Sequence, residues 1–195
     1  MSIPQVEASV REVYEKISTE FSRTRYKMWK CVREFLTSLP PSSLVADVGC
    51  GNGKNMLVSG LEMRGFDTCK NFIQECTEKG LKVSYGDVCE IPAKDETFDA
   101  VICIAVIHHL ATEERRLQAI RELLRITVPG GKILITVWKC EDGEVQDRMV
   151  SWTCRDGKVF DRYYHFFTLE EIQKMFASQS SIREECGNWI ITVTK

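Results

Sequence analysis

VADVGCGNG, Val45 to Gly53, is the stretch on which the fold turns. An apolar run that reads as a strand passes directly into three alternating glycines, Gly49, Gly51 and Gly53. Glycines so placed allow a tight turn and let backbone approach a ligand with no Cβ in the way. Two features separate the stretch from a dinucleotide-binding fingerprint. The spacing is G-x-G-x-G rather than G-x-G-x-x-G, and an acid, Asp47, lies inside the strand just before the loop. An acid there repels a pyrophosphate and suits a cationic ligand.

Downstream of the loop the pattern alternates. Strands are predicted near LEMRGF, at LKVSYG (Leu81 to Gly86), at AVICIA and at KILITVW after the turn PGG. Between them lie a short helix after the glycines, the helical KNFIQECTEKG, and a helix opened by Thr112 with Leu117, Ile120 and Leu124 on one face. Strands alternating with helices give a parallel sheet covered by helices. The end differs: SIREEC and NWIITVT meet at Gly187 and Asn188, a turn signal for an antiparallel hairpin. The expected fold is therefore α/β: a Rossmann-like, seven-stranded, mostly parallel sheet with a terminal antiparallel hairpin and helices on both faces. Upstream, Ser9 with Glu12 makes a capping box, and Val10, Val13, Tyr14, Ile17 and Phe21 recur at helical spacing. Trp29, Val32, Leu36 and Leu39 repeat the pattern until Pro40 and Pro41 stop it. These helices form an N-terminal extension.

The 195 residues are read as one domain: a helical extension over 1–43, a core over 44–138, an insertion on the substrate side over 139–167, and a last helix and hairpin over 168–195. Within the insertion, MVSWTC and KVFDRYYHFF flank Arg155, Asp156 and Gly157, the pattern of a small hairpin at the carboxyl edge of the strands, where open α/β sheets bind ligands. A formal net charge of -2 does not mark a nucleic-acid binder, so any such role must rest on local charge. FSRTRYKMWKCVR, Phe21 to Arg33, supplies it, with five cations and no acid. No apolar run reaches the length of a membrane span and the first residues lack a secretory core, so a cytoplasmic location, with the nucleus second, is expected. Nine cysteines include no pair at zinc-knuckle spacing; reduced, mostly buried thiols and no metal site are expected.

Two further acids fall where strands end, Asp67 and Asp87. Carboxylates at successive strand tips, with no lysine among the glycines, favour a ligand rich in hydroxyl and amino donors and poor in phosphate. Here the sequence resembles the class I S-adenosylmethionine-dependent methyltransferases, from about residue 44 to 195. The resemblance implies S-adenosylmethionine as cofactor. Gly49, Gly51 and Gly53 would pass its methionine part, and Asp47 would meet the amino group directly or through water. Asp67 would take the ribose hydroxyls, Asp87 the adenine amino group with Val88 beside the ring, and the Ile104 carbonyl would face the methionine amine.

VYEKISTEFSRTRYKMW, AVIHHLAT, LLRITVPGGKILITVW and DRYYHFF, in this order, are further similar to the eukaryotic tRNA methyltransferases that esterify carboxymethyluridine at the anticodon wobble position. Lys30 departs from the proline usual there. The resemblance implies a carboxylate nucleophile, already ionised at neutral pH and needing orientation rather than a general base. Arg25 and Arg162 are the candidates to steer it, with His108 as a further substrate contact. Arg23 and Lys27, with Lys30 and Arg33, would meet phosphates; Tyr163 and His165 would hold an unstacked base. Such enzymes resemble others that need a small zinc-binding activator subunit, here expected as a heterodimer partner along the edge strand near Leu81 to Gly86, the zinc belonging to the partner. A small-molecule methyltransferase and a silent, cofactor-binding regulatory subunit remain the alternatives.

Overall fold

The computed structural model describes residues 3–141, 144, 146–176 and 180–195; residues 142, 143 and 145 of the expected insertion, and 177–179 of the expected terminal unit, lie outside them. Helices α1 (Ile3–Thr24) and α2 (Lys30–Thr37) precede strand β1 (Leu44–Val48). Then follow β2 (Glu62–Asp67), α3 (Lys70–Glu78), β3 (Val83–Tyr85), β4 (Phe98–Ile104), α4 (Glu113–Ile126) and β5 (Thr127–Trp138). A hairpin of β6 (Asp147–Thr153) and β7 (Val159–His165), helix α5 (Leu169–Phe176), β8 (Ser180–Glu185) and β9 (Asn188–Thr194) complete the chain.

Seven strands form one sheet in the order β3-β2-β1-β4-β5-β9-β8. Pairs from β3 to β5 are parallel, whereas β9 pairs antiparallel with both β5 and β8, as the sequence pattern predicts. Strand order reverses between β1 and β4, which opens a crevice at their carboxyl ends. Strand alternation explains the two covered faces. Ala46, Val101, Ile133 and Ile191 point to one side, where Leu123 and Ile126 of α4 and Ile172 of α5 cover them. Val45, Ile102, Leu134 and Ile190 point to the other, against Val32, Phe35 and Leu36 of α2. Both faces being buried, the central strands read as nearly continuous apolar runs. Seven of the nine cysteines are buried, Cys154 is half-buried and Cys186 exposed. No described helix is long and apolar enough to cross a membrane.

Four local expectations shift. The glycine loop passes into a single 3-10 turn, Lys54–Met56, rather than a helix. PGG lies inside β5 instead of before it: the strand begins at Thr127, and the register shifts between the pairs Phe98–Thr127 and Ala100–Lys132, where β5 takes up three extra residues. The terminal turn falls one residue earlier, on Cys186 and Gly187, both at positive φ, so that Asn188 already belongs to β9. The edge strand β3 keeps only Val83–Tyr85 of the predicted stretch.

Candidate active site

The carboxyl ends of the parallel strands open onto a cavity of about 270 Å³. Each strand delivers a residue: Gly49 and Gly51 beyond β1, Asp67 at the tip of β2, Asp87 and Val88 beyond β3, Ile104 at the tip of β4, and Trp138 at the end of β5. Helix α1 closes one wall with Tyr14, Phe21 and, just past its end, Arg25, while the β6/β7 hairpin supplies Trp152, Arg162 and Tyr164.

At the β1 end, Gly49 has φ +76°, and a Cβ there would lie 2.2 Å from Val106 Cγ2; only glycine fits. Gly53 departs from expectation. It does not line the cavity; a Cβ there would meet Leu81 and Cys76, so this glycine serves packing of the loop against α3 and the link that follows it. Asp47, near the end of β1 before the loop, is fully buried just behind the cavity lining, and neither carboxylate oxygen has a hydrogen-bond partner of good geometry. Burial, with the charge of Asp67, pushes its pKa from 3.8 up to about 7, against the pull of Lys54 and the Asn55 amide. An orphaned carboxylate under a glycine loop is a site for an ammonium group. Lys54, directly after the glycines, also lines the cavity, and burial lowers its pKa.

Asp67 accepts the Gly51 and Cys69 N–H groups, each at 2.8 Å, which fixes its carboxylate toward the cavity. Burial raises its pKa although those bonds oppose it. Asp87 accepts the Cys89 N–H at 2.9 Å and faces two cations, Arg115 at 3.4 Å and Arg11 at 3.9 Å. Arg115 in turn pairs with Glu7 of α1 at 3.1 Å, so the extension reaches the tip of β3. Past Ile104, Ala105 adopts φ +60°, a strained position for a residue with a side chain, held by the Thr136 carbonyl and hydroxyl at 3.1 and 3.0 Å.

The opposite end holds two arginines without acids. Arg162 is 5% exposed, and its guanidinium carbon lies 5.6, 5.2 and 5.3 Å from the ring centres of Tyr14, Trp152 and Tyr164. Arg25 lies 5.2 Å from the same Trp152 ring. Neither arginine has an ion pair among the described residues, and Arg162 Nε is buried without a partner. His108 lines the cavity, packed on Tyr164 and Trp138 with ring centres 4.8 and 5.7 Å away. Its burial holds it neutral, with the charges of His109, Arg162 and His165 acting the same way, and its Nδ1 has no partner.

Tyr163 and His165 do not join this group. The Tyr163 hydroxyl donates to Asp147 at 2.5 Å, and the His165 ring nitrogens face Asp147 at 2.7 Å and Glu171 at 2.9 Å. Strand alternation is the reason: on β7, Arg162 and Tyr164 face the cavity, and their odd neighbours turn toward α5 and the start of β6. Arg23 and Lys27 are exposed at the end of α1 and in the link to α2, outside the cavity. Tyr14, Trp138 and Trp152 were not singled out by sequence reasoning. For Trp152 a signal existed, since it shares a face with Val150, the β-ladder partner of Arg162.

Residues 46–135 match the family described as a methyltransferase domain. A tRNA (carboxymethyluridine(34)-5-O)-methyltransferase alkbh8 of Xenopus tropicalis is 49% identical over 133 residues, covering 68% of this chain and 21% of that protein. A tRNA (carboxymethyluridine(34)-5-O)-methyltransferase of Schizosaccharomyces pombe is 44% identical over 142 residues, covering 72% of this chain and 62% of that protein. The chain thus spans about a fifth of the length of the first relative and less than two thirds of the second. Among solved structures, the DhpI-SAM-HEP complex superposes with a TM-score of 0.77 at 18% identity, covering 96% of both chains. Family match and fold together place a stretch similar to a methyltransferase domain, residues 46–135, within a Rossmann-like sheet. The chain further resembles the tRNA carboxymethyluridine methyltransferases that carry the wobble-position name.

Proposed function

We propose that this chain transfers a methyl group from S-adenosylmethionine to the carboxylate of 5-carboxymethyluridine at the wobble position of tRNA anticodons, giving the methyl ester. The observation that carries the reading is the pair Arg25 and Arg162, two cations at one end of the cavity with aromatic faces around them and no carboxylate to neutralise them. Arg162 is buried without an acid, a costly arrangement that a substrate anion relieves, and the exposed Arg25 stands beside it on the shared Trp152 ring. The residues at the other end fit the cofactor: the orphaned Asp47 suits its ammonium, Asp67 its ribose hydroxyls, and Val88 with Ile104 an apolar ring.

When bound, the sulfonium supplies an activated methyl group. The chain's own residues supply position and dryness. Arg25 and Arg162 orient the carboxylate, Trp138 and Tyr164, stacked with ring centres 4.3 Å apart, exclude water beside it, and neutral His108 offers a hydrogen-bonding edge. The nucleophile is ionised at neutral pH, so no general base is required. Arg23, Lys27, Lys30 and Arg33 are exposed from the end of α1 to the first turn of α2, close in sequence to the cavity residues Arg25 and Trp29; with Lys30 paired to Glu34 at 3.6 Å, the others suit the phosphates of an anticodon stem-loop.

The same reading includes a small zinc-binding activator as heterodimer partner, docked along β3. That strand is an outer edge, so its far backbone groups are open to another strand, and Tyr85 on it is exposed. Beside it lies a groove floored by Phe66, Val83 and Phe98 and rimmed by Arg64, Lys82 and Lys94. The test is methyl transfer to wobble-carboxymethylated tRNA by this chain with and without the activator, read as nucleosides by mass spectrometry. Ester formed only with the activator supports substrate and partner together; no ester in either arm, despite demonstrated cofactor binding, overturns the substrate.

A further inference from the structure

Arg162 makes one side-chain hydrogen bond among the described residues, and it is to a neutral group. Its Nη1 donates to the Tyr14 hydroxyl at 3.2 Å. That hydroxyl lies 2.9 Å from His109 Nε2, and His109 Nδ1 lies 2.8 Å from the backbone carbonyl of Tyr163. The direction of the chain follows from its far end. A carbonyl can only accept, so Nδ1 of His109 carries the proton. The ring is neutral, because burial and the nearby charge of Arg162 bring its pKa down to about 4. Nε2 therefore accepts, the Tyr14 hydroxyl must donate to it, and the phenolic oxygen is left to accept from Arg162.

The relay starts at Arg162 and returns to the carbonyl of the next residue on the same strand. In between it crosses α1 and the turn Ile107–His109 beyond β4. Three elements that share no backbone ladder are thereby strapped to one guanidinium. An acid at position 14 would hold Arg162 equally well but would neutralise it. We propose that Tyr14 and His109 are positioning residues that fix Arg162 without cancelling its charge, so that the guanidinium stays rigid and free to bind the carboxylate of the substrate. This inference rests on the carboxylate reading above.

The test compares the whole chain with its Tyr14→Phe, His109→Ala and His109→Gln variants. Affinities are measured for two anticodon stem-loops, one bearing the carboxymethyl group and one its uncharged carboxamide counterpart, and separately for S-adenosylhomocysteine by calorimetry. The wild type is expected to prefer the carboxylate. Tyr14→Phe and His109→Ala lose roughly tenfold of that preference, the scale of one charge-assisted hydrogen bond, with the carboxamide affinity little changed. His109→Gln, whose amide can still donate to the carbonyl and accept from Tyr14, keeps most of it. Preference present in the wild type and undiminished in Tyr14→Phe and His109→Ala overturns the relay alone. Equal loss for both stem-loops, or loss of S-adenosylhomocysteine binding, reduces the two residues to structural ones and also overturns it. A wild type with no preference overturns the carboxylate reading and the relay with it.

Discussion

The Glu15 carboxylate of α1 caps α3, accepting the Lys70 N–H at 2.6 Å. The first residues of α3 have no cap of their own, since Cys69 contributes no side-chain hydrogen bond. Glu15 also accepts the Asn71 N–H at 3.2 Å, and the Asn71 amide donates back to the Glu15 carbonyl at 2.8 Å. Two more acids of α1 act alike: Glu7 accepts the Ala111 N–H at 3.2 Å and Glu20 the Arg155 N–H at 3.0 Å. The N-terminal helix is thus tied by carboxylates to backbone donors on three sides of the cavity it covers.

Replacing Glu15 by alanine strands those donors. Loss of a cap costs about 1 kcal/mol, which for a chain of this size lowers the melting temperature by roughly 2–4 °C. Because α1 is a wall of the cofactor end, ligand affinity should fall as well. Thermal melts with and without S-adenosylhomocysteine check both; a variant that melts and binds as the wild type does would remove α1 from the site.

Asp47 gives a pH signature. Its pKa in the fold is raised to about 7 from 3.8, so ionisation opposes folding, and stability from this group declines as pH rises between those values. Asp47→Asn removes the penalty: the variant should match the wild type below pH 4 and exceed it at pH 8 by at most roughly 4 kcal/mol. It should also bind the cofactor less well. An ammonium arriving beside Asp47 brings the pKa down, so binding at pH 6 should release up to about one proton in the wild type and none in Asp47→Asn. Calorimetry in two buffers of different ionisation enthalpy reads that proton directly.

Strand tips were legible in the sequence because a buried parallel strand writes its own boundaries: apolar runs end in Asp67, in Asp87 and in the glycines, and all three tips do face the cavity. The hairpin around Gly157 was equally visible. The orientation of its side chains was not, since Arg162 and Tyr163 differ only by the parity of their place on β7, and the sequence does not say which parity faces inward until the hairpin is docked. Tyr14 illustrates the converse. Helical spacing marks it as one of an apolar stripe, and only the approach of β7 and the turn at His109 makes its hydroxyl a junction.

The exposed cations at the α1–α2 link carry a salt prediction. Arg23 and Lys27 make no ion pair among the described residues, so their charge is open to phosphate. Each replaced by glutamine should weaken stem-loop binding across sequences and reduce the slope of log affinity against log salt by about 1. Kd values over a salt series test this, and an unchanged slope in Arg23→Gln with Lys27→Gln would place the RNA elsewhere.

Trp152 supports two charges at once, each guanidinium carbon lying 5.2 Å from its ring centre. A cation over an indole gains about 0.5–2 kcal/mol, so removing the ring releases both Arg25 and Arg162 from their placement rather than one. Trp152→Leu should therefore raise KM for carboxylated RNA roughly tenfold to a hundredfold, with cofactor affinity retained. Trp152→Phe keeps an aromatic face and should recover most of that loss. The comparison separates electrostatics from bulk, because leucine and phenylalanine both fill the space while only phenylalanine offers a π face. Steady-state kinetics on the two variants decide it: equal impairment would mean that Trp152 merely packs, and the placement of Arg162 would then rest on Tyr14 and Tyr164 alone.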